Sequence, residues 1–142
     1  MLLSFTAYTN ISHSTNIIEV KSSSFGELRE AGEFVKENVP EGQNIVVGES
    51  YTELLYYSGR QSNKDGTLNN KTDLLNKIEE LDASYLVMPM YYYVTAHQSE
   101  GHIEVINYVF GNPNLFIPVK RIGQTIDQGG QINLVTIFKI NL

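Results

Sequence analysis

Apolar and polar positions alternate along the chain with two different periods. Phe25, Leu28, Ala31, Phe34, Val35 and Val39 recur at helical spacing, and Glu27, Arg29, Glu30, Glu33, Lys36 and Glu37 fill much of the remaining surface. That pattern predicts an amphipathic helix. Ser24 and Glu27 stand at capping-box spacing at its start, and Pro40-Glu41-Gly42 stops it. Asn44-Ile-Val-Val-Gly48 follows, a continuous β-branched run bounded by turn residues. It predicts a strand buried on both faces.

The next stretch, Gly48-Glu-Ser-Tyr-Thr-Glu-Leu-Leu-Tyr-Tyr-Ser-Gly-Arg60, crowds acids, serines, tyrosines and an arginine into a short span. Ser50 and Glu53 again have capping-box spacing, and Gly59 stands where a left-handed residue closes a helix. A short capped helix accounts for all three. Arg60, just beyond it, is placed to bond the exposed C-terminal carbonyls or to pair with an acid such as Glu49. Asp65-Gly66 marks a turn, and Asn70 to Asp82 reads as a helix with Leu74, Leu75, Ile78 and Leu81 as its apolar stripe. Ala83-Ser-Tyr-Leu-Val-Met88, ending at Pro89, is a second buried strand, so the two strands and their crossover predict a parallel unit.

Beyond Tyr93 the pattern is less decisive. Ile103, Ile106 and Phe110 suit a helix closed by Gly111, while Ile103, Val105 and Asn107 also fit a strand. Leu115 to Arg121 and Ile132 to Ile140 read as strands joined through Asp127-Gln-Gly-Gly130, which predicts an antiparallel hairpin. The expected fold class is a single α/β domain over residues 23–142. It has a short parallel central sheet flanked by helices, with an antiparallel C-terminal hairpin. Residues 1–22, rich in Ser, Thr and Asn, read as a lead-in carrying either an edge strand or the end of a membrane helix.

Composition narrows the function classes. Of 142 residues, 42% are hydrophobic and 18% charged, a globular balance. Ten basic against sixteen acidic residues give a net charge of −6, and no basic block reverses it locally. Nucleic acid and anionic membrane are therefore poor partners. The absence of cysteine removes disulfides and thiolate chemistry. No apolar run approaches the roughly 20 residues that span a bilayer.

His13, His97 and His102 are scattered, with no HExxH or calcium-loop spacing, so neither a metal nor a cofactor is expected. The chain has no GxSxG elbow and no Gly-rich phosphate cradle. Tyrosines are the more suggestive feature. Ligands of open α/β sheets favour the crevice beyond the carboxyl ends of parallel strands. Glu49, Ser50 and Tyr51 follow one such strand and Tyr91, Tyr92 and Tyr93 the other. With Arg60 they form a candidate binding crevice whose aromatic faces, acids and hydroxyls suit sugar rings. The same tyrosines also serve as cover for the sheet edge, with rings packed and hydroxyls wet.

The order of elements carries a resemblance. Leu28-Arg-Glu-Ala-Gly-Glu-Phe-Val-Lys-Glu-Asn-Val-Pro-Glu-Gly42 leads into Asn44-Ile-Val-Val. Then come Tyr56-Tyr57-Ser58-Gly59-Arg60, the Leu81-Asp-Ala-Ser-Tyr-Leu-Val strand and a hairpin ending Thr136-Ile-Phe-Lys-Ile140. Over residues 24–142 this resembles the soluble C-terminal domain of polytopic membrane glycosyltransferases that use polyprenyl-phosphate-linked sugars, a group that includes relatives of the dolichyl-phosphate-mannose protein mannosyltransferases. The resemblance implies an extracytoplasmic accessory domain tethered by a preceding membrane region. Its partners would be the membrane portion of the same polypeptide and a glycan or glycosylation acceptor. That family's catalytic acids lie in the membrane region, so no catalytic residue carries over. Related oligosaccharyltransferases bear a Trp-Trp-Asp-Tyr-Gly motif, and this chain has no tryptophan.

Two other functions fit the residues. One is a free-standing domain binding a small ligand in the same crevice, and the other a small enzyme pairing Glu49 with a histidine. Asn10-Ile-Ser and Asn70-Lys-Thr match glycosylation acceptor patterns, which arise often by chance.

Overall fold

A computed structural model describes residues 26–48, 52–63, 68–89, 100–125 and 131–142. Helix α1 (Gly26–Asn38) precedes strand β1 (Asn44–Val47) and the short helix α2 (Thr52–Ser58). Helix α3 (Lys71–Leu81), strand β2 (Ala83–Pro89) and helix α4 (Glu100–Gly111) come next. The chain then closes with strands β3 (Phe116–Thr125) and β4 (Gln131–Ile140). The four strands form one mixed sheet in the order β1-β2-β4-β3. β1 and β2 are parallel, while β4 runs antiparallel to both β2 and β3. This is the expected α/β class, with the parallel pair forming one half of the sheet and the hairpin the other.

Strand pleating divides the core into two layers, because successive side chains point to opposite faces. Ile45, Val47, Val87, Val135 and Ile137 face α1 and α2, where they pack on Leu28, Ala31, Val35, Val39 and Leu54. Val46, Leu86, Met88 and Phe138 face the other way, onto Leu74 and Ile78 of α3 and Val105 and Val109 of α4. Helices thus cover both faces, which explains why β1 and β2 read as continuous apolar runs.

β3 departs from simple alternation. Its pairing with β4 skips Val119, since Pro118 opposes Phe138 and Lys120 opposes Ile137. The extra residue swaps the faces of the strand. Phe116 accordingly joins the α3/α4 core, whereas Ile122 joins the α1/α2 core. The same switch turns Lys120 toward α1, where its Nζ lies 3.1 Å from Glu30 and 6.0 Å from the Phe34 ring centroid.

Three expectations need correction or completion. Residues 100–111 are a helix, yet its buried positions are Val105 and Val109. Ile103 and Phe110 stay 42% and 45% exposed. Of the expected stripe, Ile106 does pack against the core, and Phe110 meets the Phe138 ring edge-on at 5.4 Å, while Val105 and Val109 take the fully buried places. Glu27, expected on the polar surface of α1, is buried. Ser24, Phe25 and Ser50, invoked for helix starts, lie outside the described residues. α3 begins as expected, with the Asn70 side chain accepting from Asp73 N at 2.9 Å. It ends at Asp82 in the left-handed region (φ 47°), a conformation aspartate tolerates better than most residues.

Candidate functional site

The segment that carried the resemblance, Tyr56 to Arg60, lies where α1 and α2 cross. Gly32 of α1 permits the approach. A β-carbon there would stand 2.7 Å from Tyr57 Cβ and 2.9 Å from Leu54 O, so the crossing admits no side chain. Tyr57 lies beneath the Arg29 guanidinium at 5.4 Å and meets the Tyr56 ring edge-on. The hydrogen bond and charge of Glu33, reinforced by Tyr57, hold Arg29 protonated above the usual guanidinium range.

Ser58 is buried, and its hydroxyl donates to Leu55 O at 3.1 Å and accepts from Arg60 N at 3.3 Å. Gly59 then takes φ 60° and closes α2, its N–H donating to Leu55 O at 3.0 Å. This is the left-handed closure expected from the sequence. Arg60 does cap a helix, but a different one. Its Nη2 donates to Val39 O at 2.6 Å and Lys36 O at 3.2 Å, the terminal carbonyls of α1. Ser58 and Gly59 thus close α2 and set the direction of Arg60, which clasps the end of α1, with Tyr57 covering the crossing.

The clasp delivers residues 61–63 to the outer edge of β1. Ile45 N donates to Gln61 O at 3.1 Å. Asn63, 5% exposed, then pairs its side-chain amide with Val47. Its Oδ1 accepts from Val47 N at 2.8 Å and its Nδ2 donates to Val47 O at 3.0 Å. A carboxamide offers the same donor and acceptor as a peptide group, so Asn63 stands in for one residue of a neighbouring strand. Nothing in the sequence reading singled it out.

Below this edge, at the amino end of β1, lies a cavity of about 550 Å³ lined by Glu41, Gly42, Gln43, Asn44, Gly59, Arg60 and Gln61. Both glycines have positive φ, and a β-carbon on either would meet nothing within 4 Å. Two buried polar atoms on its lining residues have no partner, Gln43 Oε1 and Arg60 Nε. A second cavity of about 470 Å³ adjoins the start of β2, between Ile78, Glu79, Asp82, Ser84 and Ile140. Asn44, which lines the first, donates from Nδ2 to Leu81 O at 2.5 Å.

Of the residues assigned to the tyrosine crevice, Glu49, Ser50, Tyr51, Tyr91, Tyr92 and Tyr93 lie outside the described residues. Arg60 is described and stands at the amino end of β1, away from Gly48 and the carboxyl end. His13 and His97 are also outside the described residues, and His102 is half-buried on α4. Among the described residues no three His, Cys, Asp or Glu side chains gather as a metal site. Nor is any helix among them long and apolar enough to cross a membrane.

No protein-family model matches the chain, and no curated protein gives a significant match. Among solved structures, the chain is similar to the crystal structure of the C-terminal globular domain of an oligosaccharyltransferase from Archaeoglobus fulgidus. Identity is 15% and the TM-score 0.45, with 80% of this chain and 96% of that one covered.

Proposed function

We propose that the chain is a non-catalytic accessory domain of a membrane-embedded glycosyltransferase that uses polyprenyl-phosphate-linked sugars. In this reading it works on the extracytoplasmic side beside the membrane portion of the same polypeptide. The observation that carries it is the Tyr56–Arg60 segment. Its residues resemble the family's pattern, and they are structurally occupied: Ser58 and Gly59 close α2, while Tyr57 and Arg60 reach across to α1. A segment occupied in this way suits a domain that positions rather than transforms.

The parallel pairing of β1 and β2 supports a recognition crevice as well. Gly48 N donates to Val87 O at 2.8 Å, so the carboxyl ends that lead into residues 49–51 and 90–93 are adjacent. Glu49, Ser50 and Tyr51 with Tyr91, Tyr92 and Tyr93 would then offer stacking area and hydroxyl partners to a glycan or acceptor.

The test has two arms. The reading frame upstream of codon 1 should encode several apolar segments, and a start codon without them would favour a free-standing ligand-binding domain. The purified chain, given polyprenyl-phosphate-linked sugars, should show no transfer or hydrolysis. Turnover that disappears in Glu49→Gln would replace the accessory role with an enzyme.

A further inference from the structure

We propose that Asn70 is a glycosylation site, its side-chain nitrogen carrying a sugar transferred from a polyprenyl-phosphate-linked donor. Asn70-Lys71-Thr72 has the acceptor spacing, and both Asn70 and Thr72 are exposed. Asn70 stands just ahead of α3 in extended backbone (φ −165°, ψ 178°). Its Oδ1 accepts from Asp73 N at 2.9 Å, which leaves the amide nitrogen on the other arm of the planar carboxamide. That nitrogen makes no bond among the described residues.

Other asparagines of the domain are used the opposite way. The Nδ2 groups of Asn38, Asn44, Asn63, Asn69, Asn112 and Asn141 all donate to protein acceptors, and none of the six starts an acceptor triplet. At Asn70 the oxygen is held by the protein and the nitrogen is left over. In the transfer, Nδ2 bonds to the anomeric carbon of the sugar and gives up one proton to a base of the transferring enzyme. The anomeric C–O bond to phosphate breaks, and its electron pair leaves on the phosphate. The product keeps the amide carbonyl, so Oδ1 still caps α3. Cap and glycan thus use different atoms of one side chain. Leu68 N donates to Gly48 O at 3.3 Å, which places the sugar near the carboxyl end of β1.

The proposal rests on the extracytoplasmic reading above, where such donors would be met, so its test is chosen to fail separately. The protein would be isolated from its own cells after those cells have met a membrane-impermeant lysine reagent. Mass spectrometry of the peptide spanning Asn70 should show sugar on most copies. Asn70→Asp should lose the sugar and keep the cap, because aspartate caps a helix as well as asparagine does. Thr72→Ala should lose it with the capping residue untouched, and Thr72→Ser should retain it. Circular dichroism should be the same for all three variants.

A bare Asn70 overturns the proposal. If those bare chains carry the reagent at exposed Lys36 and Lys139, the domain faces outward and the accessory reading stands without this site. If they carry none, both readings fall together. Sugar that persists in Thr72→Ala would overturn the triplet as the address for transfer. Sugar on the Thr72 hydroxyl, persisting in Asn70→Asp, would overturn Asn70 as the acceptor.

Discussion

β1 and β3 are the two edge strands of one sheet, and they leave their outer backbone groups in opposite conditions. Along β1 the chain folds back on itself, and Ile45 N, Val47 N and Val47 O all find partners in Gln61 and Asn63. Along β3 no strand among the described residues pairs with the outer side. That strand instead carries Pro118, the bulge at Val119, and Lys120 and Arg121 in succession. A proline lacks the N–H that a docking strand would need, a bulge spoils register and charges resist burial. One edge is therefore sealed by a side chain that imitates backbone, and the other is blunted by local sequence. Sealing requires a precisely held segment, and the α1–α2 clasp holds it. Blunting requires only the strand itself.

Removing the seal should have the largest effect. Asn63→Leu leaves Val47 N–H and C=O buried without partners, and should cost about 2–5 kcal/mol in chemical denaturation. A loss below about 0.5 kcal/mol, the ordinary range for a surface change, would show that Asn63 does not close this edge. Gly32→Ala attacks the same edge at one remove, by forcing α1 off α2 through contacts of 2.7 and 2.9 Å. The expected cost is about 1–3 kcal/mol, with faster hydrogen exchange at Ile45 and Val47 than elsewhere in the sheet. Uniform exchange would separate the clasp from the seal.

Gly59→Ala meets open space, so its cost comes from backbone strain alone, about 1 kcal/mol. An unchanged denaturation midpoint would remove the left-handed closure from the account. On the blunted edge, Pro118→Thr should change stability by less than about 0.5 kcal/mol, yet it restores an N–H to an exposed strand. Self-association in analytical ultracentrifugation should rise. If Pro118→Thr stays as monomeric as the parent chain, the proline is not the guard of that edge.

The smallest effect lies away from both edges. Burial pushes the Asp73 carboxyl up. Bonds from Asn69 N and the Asn69 side chain, with Lys77 at 3.3 Å, outweigh that and hold it below the usual carboxylate range. A depressed native value contributes stability above the unfolded pKa, near 3.9, and that stability is lost as pH falls through the lower native value. Water screening limits it to a few tenths of a kcal/mol, on the order of a surface pair. Asp73→Asn should flatten the acid limb of the stability curve by that amount without touching either edge.

Much of the architecture was legible in contiguous residues. The spacing of Leu28, Ala31 and Val35 specified α1, and unbroken Ile45-Val46-Val47 specified a strand covered on both faces. Asn70 and Gly59 marked where helices begin and end. Each of these is a local property, since helical period, strand pleat and a left-handed turn depend on neighbours along the chain.

What the tertiary structure decided involves partners far apart in sequence. Residues 100–111 tolerated either a helix or a strand, and Val105 and Val109 found their burial only against the α3 side of the sheet. Arg60 was plainly able to cap a helix, but only the α1–α2 crossing at Gly32 brings it to Val39 O, 21 residues away. Asn63 looked like one more polar loop residue until β1 came to lie beside it as an unpaired edge. A carboxamide, a guanidinium or a mixed apolar pattern carries no direction by itself. Its partner is chosen when folding brings distant backbone groups within hydrogen-bonding distance and leaves them no water to bond instead.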